Sequence, residues 1–202
     1  AGAEVETVIV RNLIPSDIED SVARMADAIG RAQIVMLPGG FSGGDEPDGS
    51  AKLITSFFRN PRLSEALDTL LSERLGLMLG ICNGFQALIK LGLLPFGKIC
   101  TQTGDSPMLT YNAIGRHQSM LVHTRVCSVL SPWLQKCHTG DVHTIAVSHG
   151  EGRFIASDSL IRRLAENGQI ATQYVDLSGC PTLDIHYNPN GSYAAIEGIT
   201  SP

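Results

Sequence analysis

The chain has 202 residues, of which 43% are hydrophobic and 17% charged, a composition typical of a soluble globular domain with a substantial core. Its formal net charge is −5 and it contains no basic run, so we expect neither nucleic-acid binding nor attachment to a membrane surface. No apolar run is long enough to span a bilayer, and the five cysteines form no CxxC pair, which argues against a disulfide framework or zinc site and favours a cytoplasmic location.

Strand-like and helix-like segments alternate in the first half of the chain. The alternating, valine-rich residues 4–10 predict a first strand. Ser16, with Glu19 three residues later, forms a capping box, so we expect the next helix to begin there and to end at Gly30. A second, buried strand is expected over residues 34–37.

The segments that follow continue this alternation. Helices are expected over residues 48–59 and 64–74, with a break at Asn60-Pro61, and an apolar strand then leads into another helix. This order predicts an α/β fold with a doubly wound, mostly parallel, flavodoxin-like sheet. Such sheets place their chemistry at the carboxyl ends of the strands.

The pattern changes after Leu93. Short strand-like runs joined by polar turns replace the alternation, and one helix is expected over residues 159–166. No internal repeat or low-complexity segment is present, so we expect one domain over residues 1–202. The expected strand-like runs are 108–112, 119–128, 143–147, 169–175 and 193–199.

A cysteine stands at the turn between the apolar strand at residues 77–81 and its helix at residues 83–91. The spacing Gly80-x-Cys82-x-Gly84 is the cysteine form of the nucleophile elbow, in which the glycines let strand and helix approach closely. A thiol there lies at the positive end of the helix dipole, which favours the thiolate. The pattern favours a nucleophile, and the alternative is a small, inert core cysteine.

A glycine-rich loop at residues 38–45 follows the strand at residues 34–37. Glycine lets backbone amides approach an anion, so one interpretation is a phosphate cradle, but neither the P-loop pattern nor a dinucleotide-binding GxGxxG is present. The favoured interpretation is an oxyanion hole, with one backbone N–H from this loop and one from Asn83 beside the thiol. An ordinary turn is the remaining alternative.

A cysteine nucleophile needs a base, and six histidines are available. His149 stands apart because it follows a strand and precedes Gly150, so imidazole and backbone can both approach a ligand. With Glu151 it forms a His-x-Glu spacing, but two such residues supply too few metal ligands, and no metal site is predicted. The alternative for His149 is a residue that supports its loop. The other five histidines, in contexts typical of surface or strand-face residues, are His117, His123, His138, His143 and His186.

These motifs together resemble one known family. Residues 37–45, LPGGFSGGD, and residues 80–86, GICNGFQ, resemble the oxyanion loop and elbow of the glutaminase domain of phosphoribosylformylglycinamidine synthase, a class I, triad-type glutamine amidotransferase. Residues 45–49 resemble the long, single-chain form of that synthase. Further runs that recur in the family in the same order are 92–95, 131–133, 148–154 and 188–192.

The resemblance implies a role for each matched residue. Cys82 would attack the side-chain amide of glutamine, releasing ammonia and leaving a γ-glutamyl thioester that water hydrolyses to glutamate. The backbone amides of Gly40 and Asn83 would hold the oxyanion. The glutamine-binding residues that the resemblance implies are Gln86, His149 and Gly150. From its sequence alone, Gln86 is also compatible with a polar residue on the exposed side of its helix.

The same resemblance implies that no cofactor binds this domain. ATP and magnesium would bind a synthetase part, which receives the ammonia through a channel and converts formylglycinamide ribonucleotide to formylglycinamidine ribonucleotide in purine biosynthesis. The family's first strand would precede Ala1 and its catalytic His-x-Glu pair would follow Pro202, so we expect a piece of a longer chain, unstable by itself. Two other functions stay open: a different cysteine hydrolase or peptidase of this fold, and a non-catalytic binding domain.

Overall fold

The computed structural model describes residues 2–40 and 51–202. Its contacts divide the chain into two compact units, Ala1–Ala87 and Leu88–Pro202. Both units combine helices with strands, which confirms the predicted α/β class. The described elements of the first unit are α1 (Pro15–Arg31), β1 (Ile34–Leu37), α2 (Lys52–Phe58), α3 (Pro61–Asp68), a π-helical turn (Thr69–Glu73), β2 (Leu77–Gly80) and the start of α4 (Asn83–Leu91).

Helix α1 is confirmed, but its ends differ from the prediction. Pro15 takes the first helical position, where its missing N–H costs no hydrogen bond and its ring presets the helical φ. The predicted capping box of Ser16 and Glu19 is therefore wrong, and no side chain caps this end. The helix ends at Arg31, one residue beyond Gly30.

The core of the first unit lies between α1, α3 and the π-helical turn. Leu63, Leu67 and Leu70 recur at helical spacing and are at most 1% exposed, so they form the centre of this layer. Asn60 caps α3 by accepting a hydrogen bond from a backbone N–H in its first turn, and Pro61 follows it, which confirms the predicted break between α2 and α3.

Residues 4–10 form no strand, so that prediction is wrong. Val5 and Ile9 are 83% and 68% exposed, and the one ion pair described for this stretch joins Glu6 to Arg31 of α1. Valine-rich alternation produces a strand where a neighbouring strand accepts the backbone hydrogen bonds. Among the described strands of this unit, β1 and β2 pair with each other and with no third strand.

β1 and β2 pair in parallel, with Leu37 opposite Gly80 at their carboxyl ends. The two strands therefore end at the same edge, and the loops after them meet there. Among the described strands, parallel pairing is confined to these two. The expectation that β1 is fully buried is wrong, because Ile34 and Met36 are 49% and 52% exposed on one face while Leu37 is buried on the other.

The second unit begins within α4 and contains the antiparallel strands. Its described elements are the end of α4, α5 (Leu93–Phe96), β3 (Met108–Thr110), β4 (Gln118–Val126), a 3₁₀ turn (Pro132–Leu134), β5 (Val142–His149), β6 (Arg153–Ile155), α6 (Asp158–Glu166), β7 (Ile170–Val175), a second 3₁₀ turn (Tyr193–Ala195) and β8 (Ile196–Ile199). Most of these elements match the predicted runs to within two residues.

Two strands of this unit differ from the prediction. The expected strand at residues 193–199 covers Ile196–Ile199 alone, because Ala194 and Ala195 have φ of 50° and 56°, which no strand residue adopts. β6 was not predicted, because three residues are too few to show an alternating pattern.

The second unit is built on a four-stranded sheet in the order β5-β4-β7-β8, with antiparallel pairing throughout. Val122, Val147, Tyr174 and Ala195 form a buried cluster on it. β3 and β6 form a separate antiparallel pair. In the described ranges, no helix is long and apolar enough to cross a membrane.

Candidate active site

Cys82 lies at a sharp bend between β2 and α4. The parallel register that sets Leu37 opposite Gly80 carries the next residues of both loops to the same edge of the sheet. Cys82 has φ of 54°, a left-handed conformation that costs a non-glycine residue about 1–3 kcal/mol and is concentrated at functional sites. The residue is exposed, so its thiol is accessible to a small molecule.

Gly84 permits this bend because no side chain fits at its position. A Cβ added there would lie 2.0 Å from the carbonyl oxygen of Leu37, far inside van der Waals contact. The first turn of α4 therefore packs directly on the backbone of β1. The glycine spacing predicted a tight approach between the elbow strand and its own helix, and the close approach found at Gly84 is between α4 and the neighbouring strand β1.

The first residues of the glycine-rich loop lie beside the thiol. A Cβ added to Gly39 would be 3.0 Å from the Cβ of Cys82 and 3.7 Å from its Sγ, so only a glycine leaves the thiol uncovered on this side. Gly40 follows with φ of 115°, a backbone conformation that favours glycine. The rest of the predicted oxyanion loop, and the family-like residues 45–49, lie outside the described residues.

Asn83 and Gln86 occupy the first turn of α4. Asn83 begins the helix, so its backbone N–H lies at the positive end of the helix dipole, next to Cys82. Gln86 is 6% exposed, and its N–H donates to the carbonyl of Cys82 at 3.0 Å. Its burial rules out the alternative of a polar residue on the exposed side of the helix.

His149, the last residue of β5, is held in the second unit by Asn112. The side-chain Nδ2 of Asn112 donates to the carbonyl oxygens of Arg116 and His149, at 3.0 and 2.8 Å. Its Oδ1 accepts from the N–H of Gly152 at 3.3 Å and lies 3.2 Å from Nδ1 of His149. The backbone N–H of Asn112 donates to the carbonyl of Gly150 at 2.9 Å, so one buried asparagine ties down the whole turn.

These hydrogen bonds determine the tautomer of His149. Because Nδ2 of Asn112 has two carbonyl acceptors, its Oδ1 must face the imidazole, and Nδ1 of His149 must carry the proton. Nε2 then carries a lone pair; it is buried, and no described residue donates to it. Burial lowers the pKa of His149, and the nearby His117 lowers it further, so the ring is neutral at neutral pH. His149 does support its loop, and it also presents an acceptor.

The far side of the same loop is fixed by a buried polar cluster in residues 188–192. Asn190 donates from Nδ2 to the carbonyl of Gly152 at 2.7 Å and to the hydroxyl of Tyr174 at 3.0 Å. Ser192 accepts from the N–H of Phe154 at 3.0 Å. The composition of this run predicts only a turn. In the structure its side chains also hydrogen-bond to the backbone of the loop after β5 and fix it.

The structure groups the candidate residues by unit. The first unit contains four of the candidate residues, Gly40, Cys82, Asn83 and Gln86. The sequence of residues 1–87 contains no histidine. His149 and Gly150 belong to the second. Sequence patterns missed Asn112, because a single asparagine at the end of a strand-like run carries no signal. The structure also gives a reason for Gly152, since a Cβ there would be 2.8 Å from the ring of His149.

Comparisons with known proteins identify the family of this chain. Residues 1–202 match the family described as the CobB/CobQ-like glutamine amidotransferase domain. Relatives from Methanococcus maripaludis and Symbiobacterium thermophilum are each 34% identical over 98% of this chain, which covers 68% and 76% of their own sequences. Both are named phosphoribosylformylglycinamidine synthase subunit PurQ.

A solved structure also resembles this chain. It is described as the structure of PurLQS from Thermotoga maritima and superposes with a TM-score of 0.58 at 25% sequence identity. The match covers 83% of this chain and 62% of that chain, so this chain spans less than two thirds of the solved one.

Proposed function

Because this chain belongs to the CobB/CobQ-like glutamine amidotransferase family, as its motifs predicted, we propose that it is the glutaminase part of a phosphoribosylformylglycinamidine synthase. The observation that carries the chemistry is the exposed Cys82 at the left-handed bend before α4, with Gly39 beside its sulfur. Cys82 is exposed, and the glycine at position 39 adds no side chain beside its sulfur.

The proposed reaction has two steps. The Cys82 thiolate attacks the side-chain amide carbon of glutamine, the C–N bond breaks, and the nitrogen leaves as ammonia after accepting a proton. Water then cleaves the resulting γ-glutamyl thioester, which yields glutamate and restores the thiol. We assign the base that exchanges these protons to the His-x-Glu pair that the family resemblance implies.

The oxyanion of each step is assigned to two backbone donors, the N–H groups of Asn83 and Gly40. Asn83 is adjacent to the nucleophile at the positive end of α4, and Gly40 follows the glycine that borders the sulfur. The loss of one such donor costs about 10²–10³ in rate. Gln86, His149 and Gly150 are proposed to bind the substrate glutamine, as the family resemblance implies. The acceptor at Nε2 of His149, which no described residue uses, would suit this role once the substrate reaches it.

We further propose that the ammonia passes through a channel to a synthetase partner, where ATP and magnesium support the conversion of formylglycinamide ribonucleotide. The relatives' shared name, which includes the synthase and designates a subunit of it, supports this partner. No cofactor is assigned to this chain. Its five cysteines are all unpaired, which suits the reducing cytoplasm in which we place the enzyme.

Cys82→Ala in the complete enzyme tests the proposal. We expect the variant to lose glutamine-dependent turnover and to keep turnover driven by added ammonia, because ammonia bypasses the thioester. Steady-state assays with each nitrogen source measure both activities. Equal loss of the two would contradict a separate glutaminase site.

Cys180→Ala is a matched control, since Cys180 is also exposed but lies on a turn of the second unit. It should retain both activities. Labelling with an electrophilic glutamine analogue, read by mass spectrometry, separates the remaining functions: modification of Cys82 is expected, and a Cys82 that reacts with peptide-based reagents alone would favour a peptidase. A thiol inert to both would favour a non-catalytic binding domain.

A further inference from the structure

A cluster of side chains that can bind a metal ion lies in the second unit, at the turn that precedes β5. The ligand atoms of Cys137, Asp141 and His143 all lie within 4.8 Å of one another. Cys137 and Asp141 are partly buried and His143 is exposed, so an ion from solvent can reach the cluster. The proposed glutaminase reaction uses none of these residues.

The backbone around the cluster is held by its own hydrogen bonds. The N–H of Asp141 donates to the carbonyl of His138 at 3.0 Å, which closes a tight turn. Gly140 donates to the carbonyl of Val126 at 2.8 Å, and Val126 donates back to the carbonyl of Asp141 at 2.9 Å. The turn is therefore anchored to the end of β4, and His143 is fixed two residues later by the pairing of β5 with β4.

The carboxylate of Asp141 is also oriented before any ion arrives. One of its oxygens accepts from the backbone N–H of His138 at 2.7 Å. The ring Nδ1 of His138 lies 3.7 Å from the same oxygen, so this histidine is within reach of a fourth coordination position. Orientation of a ligand by a second hydrogen bond is a common feature of protein metal sites.

The donor set determines which ion fits. Thiolate, imidazole and carboxylate are together typical of zinc, with bonds of about 2.0–2.3 Å and a tetrahedral arrangement. Such bonds place neighbouring ligand atoms about 3.3–3.8 Å apart, so the present separations of up to 4.8 Å close with small side-chain rotations. An all-oxygen site for calcium or magnesium would not contain a thiol.

We propose that Cys137, Asp141 and His143 bind one zinc ion, with a fourth position open to His138 or water. On binding, the thiol of Cys137 gives its proton to the solvent and ligates as thiolate. The ion would link the turn before β5 to the strand itself. The sequence predicted no metal site, because no CxxC pair is present and His149 with Glu151 supplies too few ligands. The Cys-x₃-Asp-x-His spacing matches no common zinc pattern.

Titration of the full chain with cobalt(II), a spectroscopic substitute for zinc, tests the site. We expect one equivalent to bind with a thiolate-to-cobalt charge-transfer band in the near ultraviolet, and zinc to bleach it. Cys137→Ser should remove the band and His143→Gln should weaken binding at least about tenfold. Cys180→Ser, which changes an exposed cysteine on another turn, should leave the titration unchanged.

Alkylation of the unaltered chain gives a measurement that does not depend on a variant folding. Zinc should slow the modification of Cys137 by iodoacetamide, followed by mass spectrometry, and should leave Cys180 unprotected. Equal alkylation of Cys137 with and without zinc would overturn the proposal. So would a cobalt band that persists in folded Cys137→Ser protein.

Discussion

Gly84→Ala tests whether the close packing of α4 on β1 positions the nucleophile. The added Cβ would meet the carbonyl oxygen of Leu37 at 2.0 Å, its carbonyl carbon at 2.6 Å and its Cβ at 2.7 Å. Ordinary contact begins at 3.4 Å, so α4 must retreat by more than 1 Å. No side-chain rotation can relieve this contact, because two of the three atoms belong to the backbone.

The expected losses follow from that displacement. Overpacking of this kind costs about 1–3 kcal/mol, which is about a fivefold to 150-fold change in the unfolding equilibrium. A shift of the thiol by about 1 Å from its productive position costs about 10² in rate. We therefore expect Gly84→Ala to lower the midpoint of urea unfolding and to reduce kcat/KM for glutamine about 100-fold, with ammonia-dependent turnover less affected.

Gly30→Ala is the matched control, because it makes the same change inside a helix. No atom lies within 4 Å of the added Cβ at Gly30 in α1, so the substitution should stabilise the protein by about 0.4–1 kcal/mol and leave activity unchanged. Gly84→Ala protein with the urea midpoint and kcat/KM of the unaltered enzyme would show that α4 does not pack on Leu37 in this way.

Two titratable groups of the second unit give further predictions. Burial lowers the pKa of His149 below its ordinary 6.5, so the unfolded chain binds more protons once the pH falls below that value, and the free energy of unfolding should decrease there. His149→Gln should flatten this dependence in urea titrations between about pH 5 and 7. Burial raises the pKa of Glu197 above 4.5, so the folded state becomes less stable as the pH rises above 4.5 and the carboxyl ionises. Glu197→Gln keeps an acceptor for the hydroxyl of Thr172. Compared with the unaltered protein, the variant should have a higher melting temperature at neutral pH and a smaller gain at acidic pH.

Each of these two predictions can be contradicted by a specific result. A pH dependence that is unchanged in folded His149→Gln protein would show that His149 titrates as it does in the unfolded chain. For Glu197, a variant that is less stable than the unaltered protein at neutral pH would show that the ionised carboxylate is stabilised by its surroundings. Gln173→Glu is not a suitable control for Glu197→Gln. The side-chain amide of Gln173 donates to the carbonyl of Ala194 at 2.6 Å, and a carboxylate could not make this hydrogen bond.

Features that depend on neighbours in sequence were predictable. The elbow is an example, because the bend at Cys82 arises within a few residues of one strand–helix turn. The break at Asn60-Pro61 is another, since the cap and the proline act within a single turn of helix. At the elbow and at this break, the residue types alone determine which backbone conformation is possible.

Features that depend on distant partners were not predictable. The strand expected at residues 4–10 has good β-propensity, but propensity does not supply a neighbouring strand. The loop around His149 is fixed by Asn112 and Asn190, which are 37 and 41 positions away. Asn112 belongs to no recognised motif, and the run that contains Asn190 predicts only a turn. The cluster at Cys137 is different, because its three donors lie within seven positions and only the turn before β5 brings them together.

The hydrogen bonds of Asn112 also restrict how His149 can contribute to substrate binding. With Nδ1 protonated and directed at Asn112, the second nitrogen can only accept a hydrogen bond while the ring is neutral. A glutamine bound there must therefore present an N–H, from its ammonium group or its amide, since a carboxylate would meet a lone pair and be repelled. Asn112→Asp would remove the two amide donations and, by placing a carboxylate beside Nδ1, favour the charged ring. If His149 accepts from the substrate as proposed, that variant should bind glutamine more weakly near neutral pH and partly recover at higher pH, where the ring is neutral again; binding that is independent of pH would contradict this role.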